Sequence, residues 1–210
     1  MMKFQITTSG LSQAFPEPHP LFERASASGE VLVLAGSDTV IPVDVSGFTT
    51  VLVEIDADCL AARPDCPEGA SNILGFARWR LGELAPSNLI ELVKLETTSP
   101  EAITAARTVL EEAGFEVSVC ADRIGRIVDR LIRPQFNLAL NSVDDGLATP
   151  GDLDEALRLG LGYRRGVLAP LIESGLEHHY PITAKLFETY GLSQYAPARA
   201  AIISHRRTAG

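Results

Sequence analysis

The sequence predicts an α/β domain followed by an all-α domain. Three observations predict it. Compact aliphatic runs of strand length, VLVLAG (31–36), VLVEI (51–55), ILGFARW (73–79), NLIELVKLE (88–96) and FEVSVC (115–120), all lie in the first 120 residues. One capped amphipathic helix interrupts that series at 99–114. From Ile124 onward the apolar spacing follows the helical period, and Pro and Gly punctuate it. The switch falls near Asp122, so the expected units are 1–121 and 122–210.

Taken in order, residues 1–29, with PEPHP at 16–20, are expected to form an irregular arm with at most short structure. VLVLAG and VLVEI are continuously apolar, as strands covered on both faces are. Between VLVEI and ILGFARW, Pro64, Pro67 and Gly69 leave room for at most a short helix. In NLIELVKLE the two-residue period puts Leu89, Glu91, Val93 and Leu95 on one face, so a carboxylate interrupts an apolar surface. Ser99 is a good N-cap, Pro100 suits the first helical position and Gly114 can close the helix. A long helix follows over IGRIVDRLIRPQFNLALNSVDDG, with a kink expected at Pro134 because proline cannot donate to the preceding turn. Thr149, Pro150 and Asp152 open the next helix, which is expected to end at Gly160. Shorter helices are expected at about 166–174, 181–190 and 197–206, with Pro181 and Pro197 marking starts.

Composition narrows the function. The chain has 210 residues, 46% of them hydrophobic, enough for a substantial core. A net charge of −9 repels phosphate backbones, so no nucleic acid partner is expected. Cys59, Cys66 and Cys120 make an odd count without a CxxC, which argues against a disulfide framework and a structural zinc site. Aliphatic runs reach about five residues, against roughly 20 for a membrane span, and MMKFQITTSG lacks the apolar core of a signal peptide. The expectation is a cytoplasmic protein with no membrane partner.

The stretch DRIGRIVDRLIRPQFNLALNSVDDGLATPGDLDEALRLGLGYRRG (122–166) resembles the C-terminal domain of 3-hydroxyacyl-CoA dehydrogenases. Gly125, Val128, Arg130, Leu131, Pro134, Asn137, Asp152, Asp154, Gly162 and Gly166 fall in step with that family's pattern. The resemblance runs back through NLIELVKLETTSPEAITAARTVLEEAGFEVSV and covers roughly residues 73–197. It implies a reduced Rossmann-like sheet domain joined to a helical dimerisation domain of the 6-phosphogluconate dehydrogenase C-terminal-like type. It also implies NAD as cofactor, an acyl-CoA as ligand, a role in fatty acid metabolism, and a homodimer formed through the helices.

The departures from the family matter for chemistry. The family's catalytic His position falls on Ala77, and the Glu that orients that His falls on Glu91. The family's Asn in the helical motif falls on Asp129. A family Ser that contacts substrate falls near VEIDADC (53–59), where no Ser occurs. No GxGxxG, the Gly-rich turn that brings backbone against a dinucleotide pyrophosphate, occurs in the chain. The first βαβ unit is therefore expected to be missing, and no cofactor or metal site is expected. Three functions follow: a degenerate relative that binds acyl-CoA without hydride transfer, an active NAD-dependent 3-hydroxyacyl-CoA dehydrogenase, or a structural helical dimerisation partner.

Several single residues have plainer roles beside the chemical ones. Glu91 is either a relic of the catalytic pair, a carboxylate at a partly wet strand end, or a desolvated working acid; the first two outweigh the third. Arg123, Arg126, Arg130 and Arg133, spaced by three and four, form one stripe if all lie on a helix. Arg126, Arg130 and Arg133 then offer a site for a CoA diphosphate, or a solvated face paired with carboxylates. The solvated face is the expected role. His178 and His179 are expected in a surface loop before a helix, without the further ligands a metal site needs.

Overall fold

The computed structural model describes residues 2–208, which fall into two compact units. Among the described residues the first comprises 2–80 and 86–126, the second 81–85 and 127–208. The sequence boundary near Asp122 lies five residues before Ile127, where the second unit resumes. The return of 81–85 to the second unit carries no signal in the sequence pattern.

Among the described residues, the first unit holds a six-stranded sheet in sequential order: β1 (Phe4–Thr8), β2 (Val31–Ala35), β3 (Thr50–Glu54), β4 (Ile73–Arg78), β5 (Leu89–Lys94) and β6 (Glu116–Ala121). Strands β1 to β4 are parallel, β5 runs antiparallel to β4, and β6 runs parallel to β5. The five strands expected from the aliphatic runs are all present. The arm expected over 1–29 holds short structure: Phe4–Thr8 is an edge strand, and Pro20–Glu23 forms a short helix, α1. Only Phe4 and Ile6 of β1 are apolar, too few to establish a period, and pairing with β2 supplies what the pattern lacks.

Alternate residues of each strand feed two cores. Phe4, Val33, Leu52, Phe76 and Leu92 pack under α1 and α2 (Pro100–Glu112) on one face. Leu32, Val53, Ile73 and Val93 pack on the other, under a 3₁₀ turn at Leu60–Ala62 and the loop carrying Ile41. Ser99 caps α2 as its type suggests, accepting from the Ala102 N–H at 3.2 Å. The β1–β2 connection crosses the face that holds Phe15 and Leu21, whereas the next two connections cross the opposite face. The strands advance in one direction, so these crossovers differ in hand. Parallel crossovers are right-handed in about 98% of cases, so the topology departs from a strong rule in at least one of them.

The second unit is helical: α3 (Val128–Asp144), α4 (Pro150–Leu161), α5 (Leu168–Glu173), α6 (Leu176–Tyr190) and α7 (Arg199–Thr208). Helix α4 opens on Thr149 as expected but closes at Gly162, which is left-handed at φ 73°; Gly160 lies within the helix. Helix α6 begins five residues before Pro181, which sits inside it. A helix can keep an internal proline when its side chains are well buried, and His179, Thr183 and Leu186 anchor α6. Pro134 inside α3 leaves the Arg130 carbonyl without its helical donor. The buried Tyr195 hydroxyl turns towards that oxygen at 3.4 Å. Among the described residues no helix is long and apolar enough to cross a membrane.

Candidate functional site

The two positions that the resemblance assigns to the catalytic pair are cross-strand neighbours. Ala77 on β4 lies directly opposite Glu91 on β5 in the antiparallel register. Directly opposed side chains in such a pair sit about 4.5–5.5 Å apart, so an imidazole at 77 would have met the carboxylate. Ala77 has only a methyl group to offer, and it packs into the apolar face with Ile55 and Val93.

Glu91 is fully buried, not at a wet strand end. Its Oε2 accepts from Arg126 Nε at 3.1 Å, and Arg126 is itself only 8% exposed. Arg126 also donates through Nη1 to the Asp56 carbonyl, in the segment after β3 where the family's substrate-contacting Ser was aligned. Among the described residues Arg126 is the one non-glycine with a positive φ, at 45°. Side chains rarely adopt that conformation, and it costs on the order of 1–3 kcal/mol. Here it turns the guanidinium towards Glu91. The carboxylate is therefore held by a cation from a different part of the chain.

The arginine stripe is corrected. Helix α3 begins at Val128, so Arg123 and Arg126 belong to the turn before it and share no helical face with Arg130 and Arg133. Gly125, left-handed at φ 74°, and Arg126 are incompatible with an earlier helical start. Arg133 is almost wholly buried and bonds Asp129 Oδ1 through Nε at 2.8 Å. Asp129, at the family's Asn position, is thus the counter-ion of Arg133. Arg130 lies over the Tyr190 ring, 4.5 Å from its centroid.

His179 is buried inside α6, which corrects the surface-loop assignment; His178, on the same helix, stays partly exposed 3.8 Å from Glu83 Oε1. Arg133 Nη1 lies 3.0 Å from His179 Nδ1, and His179 Nε2 lies 2.9 Å from Asn137 Oδ1. A guanidinium only donates, so Nδ1 accepts and Nε2 carries the proton. Asn137 passes the polarity on by donating to the Gln194 carbonyl at 3.1 Å. Burial, and then the Arg133 charge, push the His179 pKa down to about 3. The ring is a neutral link in a buried network. No sequence signal marked it, because two adjacent His say nothing of which one faces inward.

The thiols are poor nucleophiles. Burial and then Glu91 raise Cys120 to about 11. Burial also raises Cys59 and Cys66. Among the described residues no group of three or more His, Cys, Asp or Glu side chains could hold a metal ion.

In α/β folds, dinucleotides bind outside the carboxyl ends of the parallel strands, with phosphate against free backbone N–H groups and a helix N-terminus. Here β1 runs into a loop; the next helix, α1, begins at Pro20 and has four residues. The loops after β1 and β2 interlock: Ser9 N–H bonds the Ala35 carbonyl at 3.1 Å, and Asp38 N–H bonds Ser9 at 3.1 Å. Gly36, at φ 110°, permits this approach, since a Cβ there would stand 2.2 Å from the Ser9 carbonyl oxygen. The Ala14 and Gly36 N–H groups both donate to the Glu54 carboxylate, each at 2.7 Å. These residues do not fit a dinucleotide pyrophosphate: the donors are spent and the group they hold is anionic.

Comparison with known proteins agrees with the motif in the helical unit. Residues 125–206 match the family model for the 3-hydroxyacyl-CoA dehydrogenase C-terminal domain. An L-carnitine dehydrogenase of Pseudomonas putida is 33% identical over 118 residues, covering 52% of this chain and 33% of that protein. A 3-hydroxybutyryl-CoA dehydrogenase of Mycobacterium tuberculosis is 34% identical over 113 residues, covering 52% of this chain and 38% of that protein. The chain thus matches well under half the length of either curated relative. The crystal structure of (S)-3-hydroxybutyryl-CoA dehydrogenase PaaH1 from Ralstonia eutropha superposes with a TM-score of 0.72 at 18% identity, covering 88% of this chain and 70% of that one. That likeness shows the shared fold, a Rossmann-like sheet unit and a helical unit. Residues 125–206 thus carry a domain similar to the 3-hydroxyacyl-CoA dehydrogenase C-terminal domain, on a fold shared with an enzyme of that family.

Proposed function

We propose that this protein does not transfer hydride on its own and acts as a binding or partner subunit. The observation that carries the proposal is the pairing of Ala77 with Glu91, whose carboxylate is held by Arg126. Oxidising a secondary alcohol needs a base for the hydroxyl proton, and losing a general base costs on the order of 10²–10⁴ in rate. The strand-end loops deny the dinucleotide its usual seat, which removes the hydride acceptor altogether. The competing function, an active NAD-dependent oxidoreductase, is favoured by the relatives' activities on 3-hydroxybutyryl-CoA and L-carnitine.

The helical unit supplies the binding role. Leu131, Leu138, Leu147, Leu159 and Leu161 are exposed, and α4 buries none of its own residues. We assign this apolar surface to a second copy of the chain, giving a homodimer. Any contact with the diphosphate of an acyl-CoA falls to Arg130, because Arg126 and Arg133 are committed to Glu91 and Asp129. Calorimetric titration with NAD and, separately, with acetoacetyl-CoA tests the proposal. It expects no heat of binding with NAD; saturable NAD binding at micromolar concentration would favour the active dehydrogenase instead.

A further inference from the structure

Glu54 ends β3 and is 8% exposed. Three donors converge on its carboxylate: the Ala14 N–H at 2.7 Å, the Gly36 N–H at 2.7 Å and the Ser12 hydroxyl at 2.7 Å. Two come from the loop after β1 and one from the loop after β2. Among the described residues no Lys, Arg or His pairs with it. A buried carboxylate without a cation is costly unless its oxygens are fully hydrogen-bonded. Backbone N–H groups that converge from loops at strand ends make an anion-binding concavity. The donor set around Glu54 is of that kind, and the carboxyl ends of parallel strands are where α/β folds place anionic ligands.

We infer that this concavity is an oxyanion site whose ligand is the chain's own Glu54, and that a small free carboxylate, acetate or formate, takes its place when the side chain is removed. The internal ligand also fastens the segment 9–15 across the strand ends. Ser12, while donating to Glu54, accepts from the Phe15 N–H at 2.8 Å. The Ala14 carbonyl accepts from Arg78 Nη1 at 2.8 Å, and Phe15 is buried in the core below. The segment is therefore stitched to β3 by an anion and to β4 by a cation.

The test is thermal unfolding of E54A in sodium acetate against sodium chloride at equal ionic strength. Acetate is expected to raise the Tm of E54A by about 2–4 °C and to leave the unsubstituted protein unmoved. An equal acetate effect on both proteins, or none on either, would overturn the inference. E54Q keeps the shape but faces an N–H donor with an amide NH₂, so its Tm is expected to fall without an acetate response. A Tm equal to that of the unsubstituted protein would show that only shape matters and would also overturn it. Should E54A fail to fold, amide exchange in the unsubstituted protein decides. The Ala14 and Gly36 N–H groups are expected among the slowly exchanging amides, and exchange at the rate of exposed loops would contradict the assignment. No nicotinamide is involved, so failure here is distinct from failure of the proposed function.

Discussion

At the scale of the residue, Glu91 faces an alanine across the strands and is held by an arginine. Glu91 is buried, and a buried charge is costly unless it is paired. Arg126 supplies the charge through a strained backbone. Removing one member of a buried pair strands the other, so R126A is expected to cost about 3–5 kcal/mol in urea unfolding. The double variant E91Q/R126M is expected to be closer to the starting stability than R126A, because it strands no charge; an additive loss would contradict the pairing. His179 makes a prediction in pH. Its folded pKa of about 3 lies below the unfolded value of 6.5, so the unfolded chain binds more protons between those values. The stability due to its neutral state is complete above pH 6.5 and drains away as pH falls towards 3, by up to about 1.4 kcal/mol per unit. H179Q is expected to flatten the acid side of the stability profile, and an unchanged slope below pH 6 would refute the assignment. The Thr50 hydroxyl is buried without a hydrogen-bond partner, so T50V is expected to unfold at an equal or higher urea concentration.

At the scale of the element, the family motif turns into mechanical parts. The carboxylate of Asp154 on α4 accepts from the Leu168 and Ala169 N–H groups, both at 2.8 Å, and so caps α5. Gly166 leaves the space for it: a Cβ there would stand 1.9 Å from Asp154 Cγ. G166A should unlatch α5 and cost about 1–3 kcal/mol, read as a lower midpoint in urea; a neutral effect would show the cap to be dispensable. Periodicity made β2 to β6, α2 and α3 legible, because each holds enough apolar residues to declare a period. It missed β1, whose order comes from its neighbour, and it could not see that α3 starts only at Val128. That one boundary undid the arginine stripe, since a left-handed Gly125 and Arg126 send the guanidinium away from the helix. Ala77 and Glu91 were legible as a pair only through the family resemblance. Arg126 as the carboxylate's new partner was not, because nothing local in a sequence links positions 35 residues apart.

At the scale of the molecule, each unit carries its own part of the functional argument. Among the described residues the helical unit exposes six leucines, Leu192 and the five named above, that a folded monomer has little reason to leave in water. Light scattering at micromolar concentration is expected to give twice the mass of the chain, and L138E/L159E is expected to give the monomer; a monomeric mass for the unsubstituted protein would sink the dimer. The sheet unit has a Rossmann-like fold, with Ala77 opposite Glu91 and Glu54 against the strand-end amides. The central claim is that this chain does not move hydride, and one assay tests it directly. The protein is mixed with NAD and 3-hydroxybutyryl-CoA, or with NADH and acetoacetyl-CoA, and the absorbance of the reduced nicotinamide is followed. The account predicts no change beyond the protein-free control; turnover at about one per second, an ordinary enzymatic rate, would contradict it.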